Sequence, residues 1–245
     1  MKKPPPRIHQ GLRHAASARG LLFGTAVAIA DLESEAFTVA LLRECSLISA
    51  EYEMKWDAVA TFGYGPADAL IGFARAHGLA VHGHTLWWHG STPDGLAGAP
   101  AGEFAAAAMD HLTAMTRRYA GQVVSWDVVN EPLDLDHGRS DGLRASPFLD
   151  AFGPGYVGAA FRTAAEADPS AVLVLNEMGL EYDSPDAERK RRAMLALLER
   201  ERAAGSPINA LGLQSHIDAG HQPRHNPGLA AFLREVAGMG LSVVI

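Results

Sequence analysis

Apolar and polar positions along this chain alternate between two periods. Short apolar runs rich in Val, Leu, Ile and Ala recur at 22–28, 45–50, 80–86, 123–129, 171–177, 210–217 and 241–245. Runs of this kind predict strands buried on both faces, as in a parallel sheet. Between them, apolar residues return at helical spacing. The first such segment, around 32–43, has Phe37, Leu41 and Leu42 on its apolar side. A second spans 66–78, with Pro66 early and Gly78 as the stop, and a third spans 102–120 through Phe104, Ala108, Leu112, Met115 and Tyr119. Helices are also predicted at 155–167, at 187–205 with Met194, Leu197 and Leu198 on the apolar side, and at 227–240. The stretch 132–148, rich in Asp, Gly, Ser and Pro, reads as a loop over the ends of the strands.

A helix separates each pair of strands, and no change of composition divides the chain. This alternation predicts an α/β fold with a parallel sheet and helices outside, as a (β/α)8 barrel or a doubly wound sheet. An open sheet would more often carry a glycine-rich phosphate loop after an early strand. No convincing G-x-G-x-x-G or P-loop is found, which favours the barrel. It is one strand and about two helices short of eight, and so is expected to end incomplete at strand seven. Residues 1–14 read as a flexible proline-rich leader and 15–245 as one barrel domain.

The chemistry gathers where the strands end. Residues 125–132 read SWDVVNEP, and Pro132 cannot donate to a sheet ladder, so the strand stops at Asn130-Glu131. A carboxylate and an amide at the C-terminal tip of a strand stand where α/β barrels place catalytic groups. Three letters alone could equally be a surface turn, but the other strands end in the same way. The second gives Glu51 and then Lys55, the third His84 and Trp88, the fifth Asn176 and Glu177, and the sixth Gln214 and His216. Indoles suit sugar faces and the polar groups suit hydroxyls, so the rim fits a polyhydroxylated ligand.

Composition changes this picture little. With 245 residues, 48% hydrophobic and 20% charged, the chain is of ordinary globular character and fits one barrel-sized domain. The net charge of −7 argues against a nucleic-acid partner. Cys45 is the only cysteine, so no intrachain disulfide forms. MKKPPPRIHQ is basic but no apolar h-region follows, and no run is long enough to cross a membrane. If the protein is exported, its signal is missing from this sequence or is atypical.

In order along the chain, GLLFGTAV, EYEMKWDAV, HGHTLWWH, WDVVNEP, VLNE and LQSHI resemble the glycoside hydrolase family 10 endo-β-1,4-xylanases. The resemblance runs from about residue 15 to the end, and WDVVNEP with the upstream GHTL-x-WH is specific in combination. It implies hydrolysis of xylan or xylo-oligosaccharides with retention, with Glu131 as acid/base and no metal or organic cofactor. It further implies that Asn130 binds a sugar 2-hydroxyl, that Glu51, Lys55, His84, Trp88 and Gln214 line the subsites, and that His216 holds the nucleophile. A secreted or periplasmic location also follows from it. Oligomeric state is left open.

The departures are informative. Tyr52 follows Glu51 where the family usually has Asn, and Glu177-Met178-Gly179 replaces its usual Asp-Tyr-Asn. His82 stands where an arginine commonly precedes GHTL. The family's nucleophilic Glu follows a strand like LSVVI, whereas this sequence reaches Ile245. The 245 residues are therefore expected not to turn over xylan as they stand, either as a piece of a longer chain or as a natural binding form.

Two other readings stay open at this level. One is a non-catalytic sugar-binding barrel. The other is a metal-dependent hydrolase using His82 and His84, which share a strand face, with His89, His216 or His221. Plain alternation also places Asp127 on the face of Glu131, deeper in the barrel. A buried carboxylate needs a partner, and His82 is the one expected.

Overall fold

The structure, a computed structural model, describes residues 11–218, 220 and 226–245. The first ten residues of the expected leader, and His221, lie outside the described residues. Leu12, Arg13 and His14 open a short helix, α1 (Leu12–Ser17), which is tied to the next helix. There the Leu12 amide donates to Glu44 Oε2 at 2.6 Å and Arg13 donates to Leu42 O at 2.9 Å.

Seven strands form one sheet in chain order. They are β1 (Gly24–Val27), β2 (Leu47–Ala50), β3 (Ala80–Gly83), β5 (Ser125–Asn130), β6 (Val172–Glu177), β7 (Ala210–Leu213) and β8 (Ser242–Val244). A two-residue β4 (Trp87–Trp88) pairs with β5. Every pairing is parallel, and among the described residues β1 and β8 do not pair. The architecture is that of an incomplete (β/α)8 barrel, the favoured one of the two folds that the alternation of periods allowed. The run at 210–217 supplies a strand only to Leu213, so Gln214, Ser215 and His216 leave the sheet as rim residues.

The helices form where periodicity and capping agree. They are α2 (Glu35–Glu44), α4 (Gly65–His77), α5 (Ala101–Arg118), α7 (Tyr156–Ala167), α8 (Pro185–Ala203) and α9 (Pro227–Gly238). Two more, α3 (Trp56–Phe62) and α6 (Pro147–Phe152), are too short to show a period in the sequence. Three helices start on one device. Ser146, Ser184 and Asn226 accept the amides of Leu149, Ala187 and Leu229, and proline takes the next position. The side chain satisfies one of the helix's unpaired amides, while the proline has no amide to satisfy. Gly78 stops α4 in a left-handed conformation, φ 63°.

The tandem indoles show how the fold serves the rim. Trp87 turns into the core, donates to Ala108 O at 3.0 Å, and lies between Phe148 at 5.0 Å and Phe152 at 4.9 Å. Trp88, one residue on, points the opposite way toward the strand ends. Because Phe148 and Phe152 belong to α6, the end of the predicted loop 132–148 is pegged to the core by aromatic packing.

On the inner strands, Gly83 of β3 lies in register with Trp126 of β5, and a Cβ at Gly83 would overlap the indole. Gly83→Ala is expected to lower unfolding free energy by about 1–3 kcal/mol through overpacking. Chemical denaturation of the two proteins measures this, and an unchanged midpoint would show that Trp126 has room to yield.

Candidate active site

The site is built on an irregularity in β5. Asp127 pairs in register with Val174 and Val129 with Leu175, so Val128 is an extra residue, a β-bulge. Beyond it, Asn130 pairs with Asn176. Val174 and Asn176 share a face of β6, and the bulge therefore brings Asp127 and Asn130 to one face, where plain alternation would separate them. Glu131 joins them by a different route. Its φ of 55° is left-handed, an uncommon and strained conformation for a residue with a side chain. The inference that Asp127 and Glu131 share a face by alternation alone is thus corrected: a bulge and a left-handed turn bring them together.

At the bottom of the site Asp127 is buried, with two imidazoles on one oxygen. His82 Nε2 lies 3.0 Å and His84 Nδ1 2.7 Å from Oδ2. The expected His82–Asp127 contact is present, and Ser125 Oγ holds the far side of His82 at 2.7 Å from Nδ1. Burial alone would raise the Asp127 pKa. The charges and hydrogen bonds of His82 and His84 reverse this and hold the carboxyl far below its ordinary value. Burial opposes charge on His82 as well, but the charge and hydrogen bond of Asp127 outweigh it and raise the imidazole above its usual value. His82 has both ring nitrogens occupied, by Asp127 and Ser125, so it has no lone pair to offer a metal beside His84. Among the described residues, no group of three or more His, Cys, Asp or Glu is placed to hold an ion.

Amides carry the arrangement upward. Asn176 Nδ2 reaches Asn130 Oδ1 at 2.8 Å and Asp127 Oδ2 at 3.4 Å. Gln214 Nε2 bridges Asn130 Oδ1 at 3.1 Å and Glu131 Oε1 at 3.0 Å. The other Glu131 oxygen accepts from Trp88 Nε1 at 3.0 Å. Burial pushes the Glu131 pKa up, yet the hydrogen bonds from Gln214 and Trp88, with the charges of His89 and Arg144, pull it below its ordinary value. Gly212 of β7 leaves space for Asn176, since a Cβ there would overlap Asn176 Oδ1.

Glu131, Asn130, Gln214 and Trp88 are therefore directly joined, and His84 lies beneath them on Asp127. Lys55 stands beside Trp88, its Nζ 5.1 Å from the ring centroid. His216 is exposed and reaches Gln214 Oε1 at 3.0 Å. Glu51 is exposed at the end of β2, its amide donating to Val27 O at 3.1 Å, outside this hydrogen-bonded cluster. Glu177 departs further. Fully buried, it pairs with Lys190 at 2.8 Å and accepts the amides of Leu133 at 3.0 Å and Met178 at 2.9 Å. It braces the loop after Glu131 and does not line the cleft.

Two further side chains bear on Glu131 without having been assigned to its sugar site from the sequence. Arg144 donates to Glu131 O at 3.1 Å, Leu133 O at 3.2 Å and Asp134 at 2.7 Å, locking the Glu131 backbone to its loop. His89 is half-buried nearby. Burial and the charge of Arg144 push its pKa down against the pull of Glu131 and Asp134. His89 closes the HGHTLWWH segment and enters the sequence reading only as a possible metal ligand, whereas Arg144 sits in an unpatterned loop.

A parallel α/β barrel whose strand ends gather a carboxylate, amides, imidazoles and an indole defines a protein of the barrel glycosidase class. The family model for glycosyl hydrolase family 10 matches residues 11–245, and the chain belongs to that family. It is 33% identical to endo-1,4-beta-xylanase A of Phanerodontia chrysosporium, over 96% of this chain and 57% of that protein. To endo-1,4-beta-xylanase A of Fusarium oxysporum f. sp. lycopersici it is 32% identical, over 95% of this chain and 73% of the relative. Xylanase 10B of Thermotoga maritima superposes with a TM-score of 0.85 at 28% identity, over 95% of this chain and 72% of that one. Xylanase 10B of Thermotoga petrophila, solved with xylobiose, gives 0.85 at 26% identity over 99% and 72%. The chain thus spans roughly three fifths to three quarters of the length of these relatives.

The Asp127 pair predicts a pH dependence of stability with a definite sign. His82 has a raised folded pKa, so its contribution is fully present below about pH 6.5 and is lost as pH rises through the raised value. Asp127 has a lowered one, so its contribution is present above about pH 4 and is lost as pH falls toward the lowered value. The thermal midpoint is expected to fall from about pH 6.5 upward. In His82→Gln this fall should disappear, with about 3 kcal/mol of stability lost at pH 6. An alkaline fall of the same size in the variant would assign it to another group.

Proposed function

We propose that this chain carries the acid/base half of a retaining endo-1,4-β-xylanase acting on xylan and xylo-oligosaccharides. The observation that supports it most is Glu131 itself. In a family 10 chain, it sits at a strand tip in a left-handed conformation, with each oxygen held by a separate donor and Asn130 alongside.

In the proposed reaction, Glu131 donates its proton to the glycosidic oxygen while a second carboxylate attacks the anomeric carbon. The glycosidic bond breaks and a glycosyl ester forms. Glu131, now ionised, takes a proton from water, the water oxygen displaces the ester, and the sugar leaves with its original configuration. Retaining enzymes hold the two carboxyls about 5–5.5 Å apart. Asp127 and Glu177 are poor candidates for the second role, one occupied by two imidazoles and the other by Lys190 and two amides. We assign the nucleophile to a Glu in sequence following Ile245, with His216 as its hydrogen-bond partner. That carboxylate also completes the electrostatics. Hydrogen bonds depress the Glu131 pKa here, and a like charge close by raises it toward the value an acid catalyst needs. Asn130 engages the sugar 2-hydroxyl, and Glu51, Lys55, His84 and Trp88 complete the sugar contacts. Because xylan is a polymer outside cells, the reading places the protein in the periplasm or secreted. No helix among the described residues is long and apolar enough to cross a membrane.

Two measurements test this. Residues 1–245 and a version extended through the barrel strand that would follow β8 are to be assayed on xylan, with activity expected only from the extended form. Comparable retaining activity from the shorter form would give the nucleophilic role to a carboxylate within these residues. In the extended form, Glu131→Ala is expected to slow xylan cleavage about 10²–10⁴-fold while sparing glycosylation by aryl xylosides with good leaving groups. Equal losses on both substrates would show that Glu131 is not the acid.

A further inference from the structure

The rim between β2 and Trp88 holds a side chain that the catalytic account does not use. After β2 the chain makes a tight turn from Tyr52 to Lys55, closed by the Lys55 amide on Tyr52 O at 3.0 Å. The two middle residues peg it inward. Glu53 is buried, its oxygens accepting the amides of Ile29 at 2.6 Å and Tyr52 at 3.2 Å, and Met54 is fully buried. The outer pair, Tyr52 and Lys55, is left displayed together toward Trp88.

Tyr52 is 44% exposed, large for an aromatic ring on so firmly held a backbone. Its hydroxyl meets Asp57 Oδ2 at 3.4 Å, a second tether that limits how the ring can swing. Lys55 Nζ lies 5.9 Å from the Tyr52 centroid and 5.1 Å from that of Trp88, so one ammonium stands between two rings. Among the described residues this ammonium has no carboxylate or hydrogen-bond acceptor, which leaves its three donors unused. Trp88 in turn donates to Glu131. The order Glu131, Trp88, Lys55, Tyr52 therefore leads away from the carboxylate.

We propose that Tyr52 is a specificity-determining residue, a stacking surface for a sugar ring one or more units away from the bond addressed by Glu131. This deepens, and rests on, the sugar-binding reading above. A pyranose has an apolar C–H face and a polar edge of hydroxyls. The Tyr52 ring matches the face and the Lys55 ammonium matches the edge. A side-chain amide at this position would read a particular hydroxyl by hydrogen bonding. An aromatic ring instead reads the shape of the face and rewards a longer chain. Tyr52 thus gives this chain a preference for oligosaccharides long enough to reach past Trp88.

Calorimetric titration of the protein with xylobiose and with xylotetraose tests this. The unaltered protein is expected to bind xylotetraose more tightly than xylobiose. Tyr52→Ala should lose about tenfold on xylotetraose and little on xylobiose, and Tyr52→Phe should keep most of the gain with length. Tyr52→Asn is expected to match alanine and serves in its place if alanine prevents folding. Wild-type affinity of Tyr52→Ala for both sugars, equal losses on both, or Phe behaving as Ala would each overturn the role of the ring while leaving the sugar-binding reading intact. Binding of neither sugar by the unaltered protein would overturn both.

Discussion

The structure depends on neutralising one carboxylate where water cannot reach. Asp127 sits inside the barrel below the rim, and an isolated charge there would be prohibitive. Its solution is two imidazoles on a single oxygen, with the Asn176 amide in loose contact. Because His84 must give Nδ1–H to that oxygen, its Nε2 is left as the atom that meets the cleft. Because Asn176 spans Asp127 and Asn130, the orientation of the Asn130 amide is inherited from the same anchor. The rim is therefore set from below, and its groups inherit their geometry from a charge that no ligand touches.

Glu131 and Glu177 show how position along a strand fails to decide chemistry. Each is a glutamate beside an asparagine at the end of adjacent strands. Glu177 turns to the loop side, where burial pushes its pKa up against the pull of Lys190 and two backbone amides. Glu131 turns to the cleft, where an indole and a carboxamide hold it ionised. One acts as a brace and the other stands at the rim. The difference lies in which neighbours the two faces of the sheet supply.

Much of this was legible in the residues. The two periods give the order of strands and helices because strands buried on both faces must be apolar throughout. WDVVNEP and GHTL-WWH gave the family and most of the cluster around Glu131. The His82–Asp127 pair followed from the cost of burying a lone carboxylate. What could not be read were features without a period or a motif. The helices α3 and α6 are shorter than the window in which periodicity shows. The bulge at Val128 leaves no mark among valines that are apolar on either face. Arg144 acts through backbone carbonyls, which any sequence carries, so its partners are invisible until the chain is folded.

The bulge has one more implication, for how this site can be moved or altered. Below Val128 the strand keeps the beat of its neighbours, and above it the beat is shifted by one residue. The two halves of β5 are thus in different phase, like gear teeth offset by one notch. Deleting Val128 would leave a strand of flawless alternation and an unbroken apolar core. It would also turn Asn130 away from Asp127. A transplant of WDVVNEP into another barrel therefore carries its function only if the recipient reproduces the offset, whatever the identity of the letters on either side.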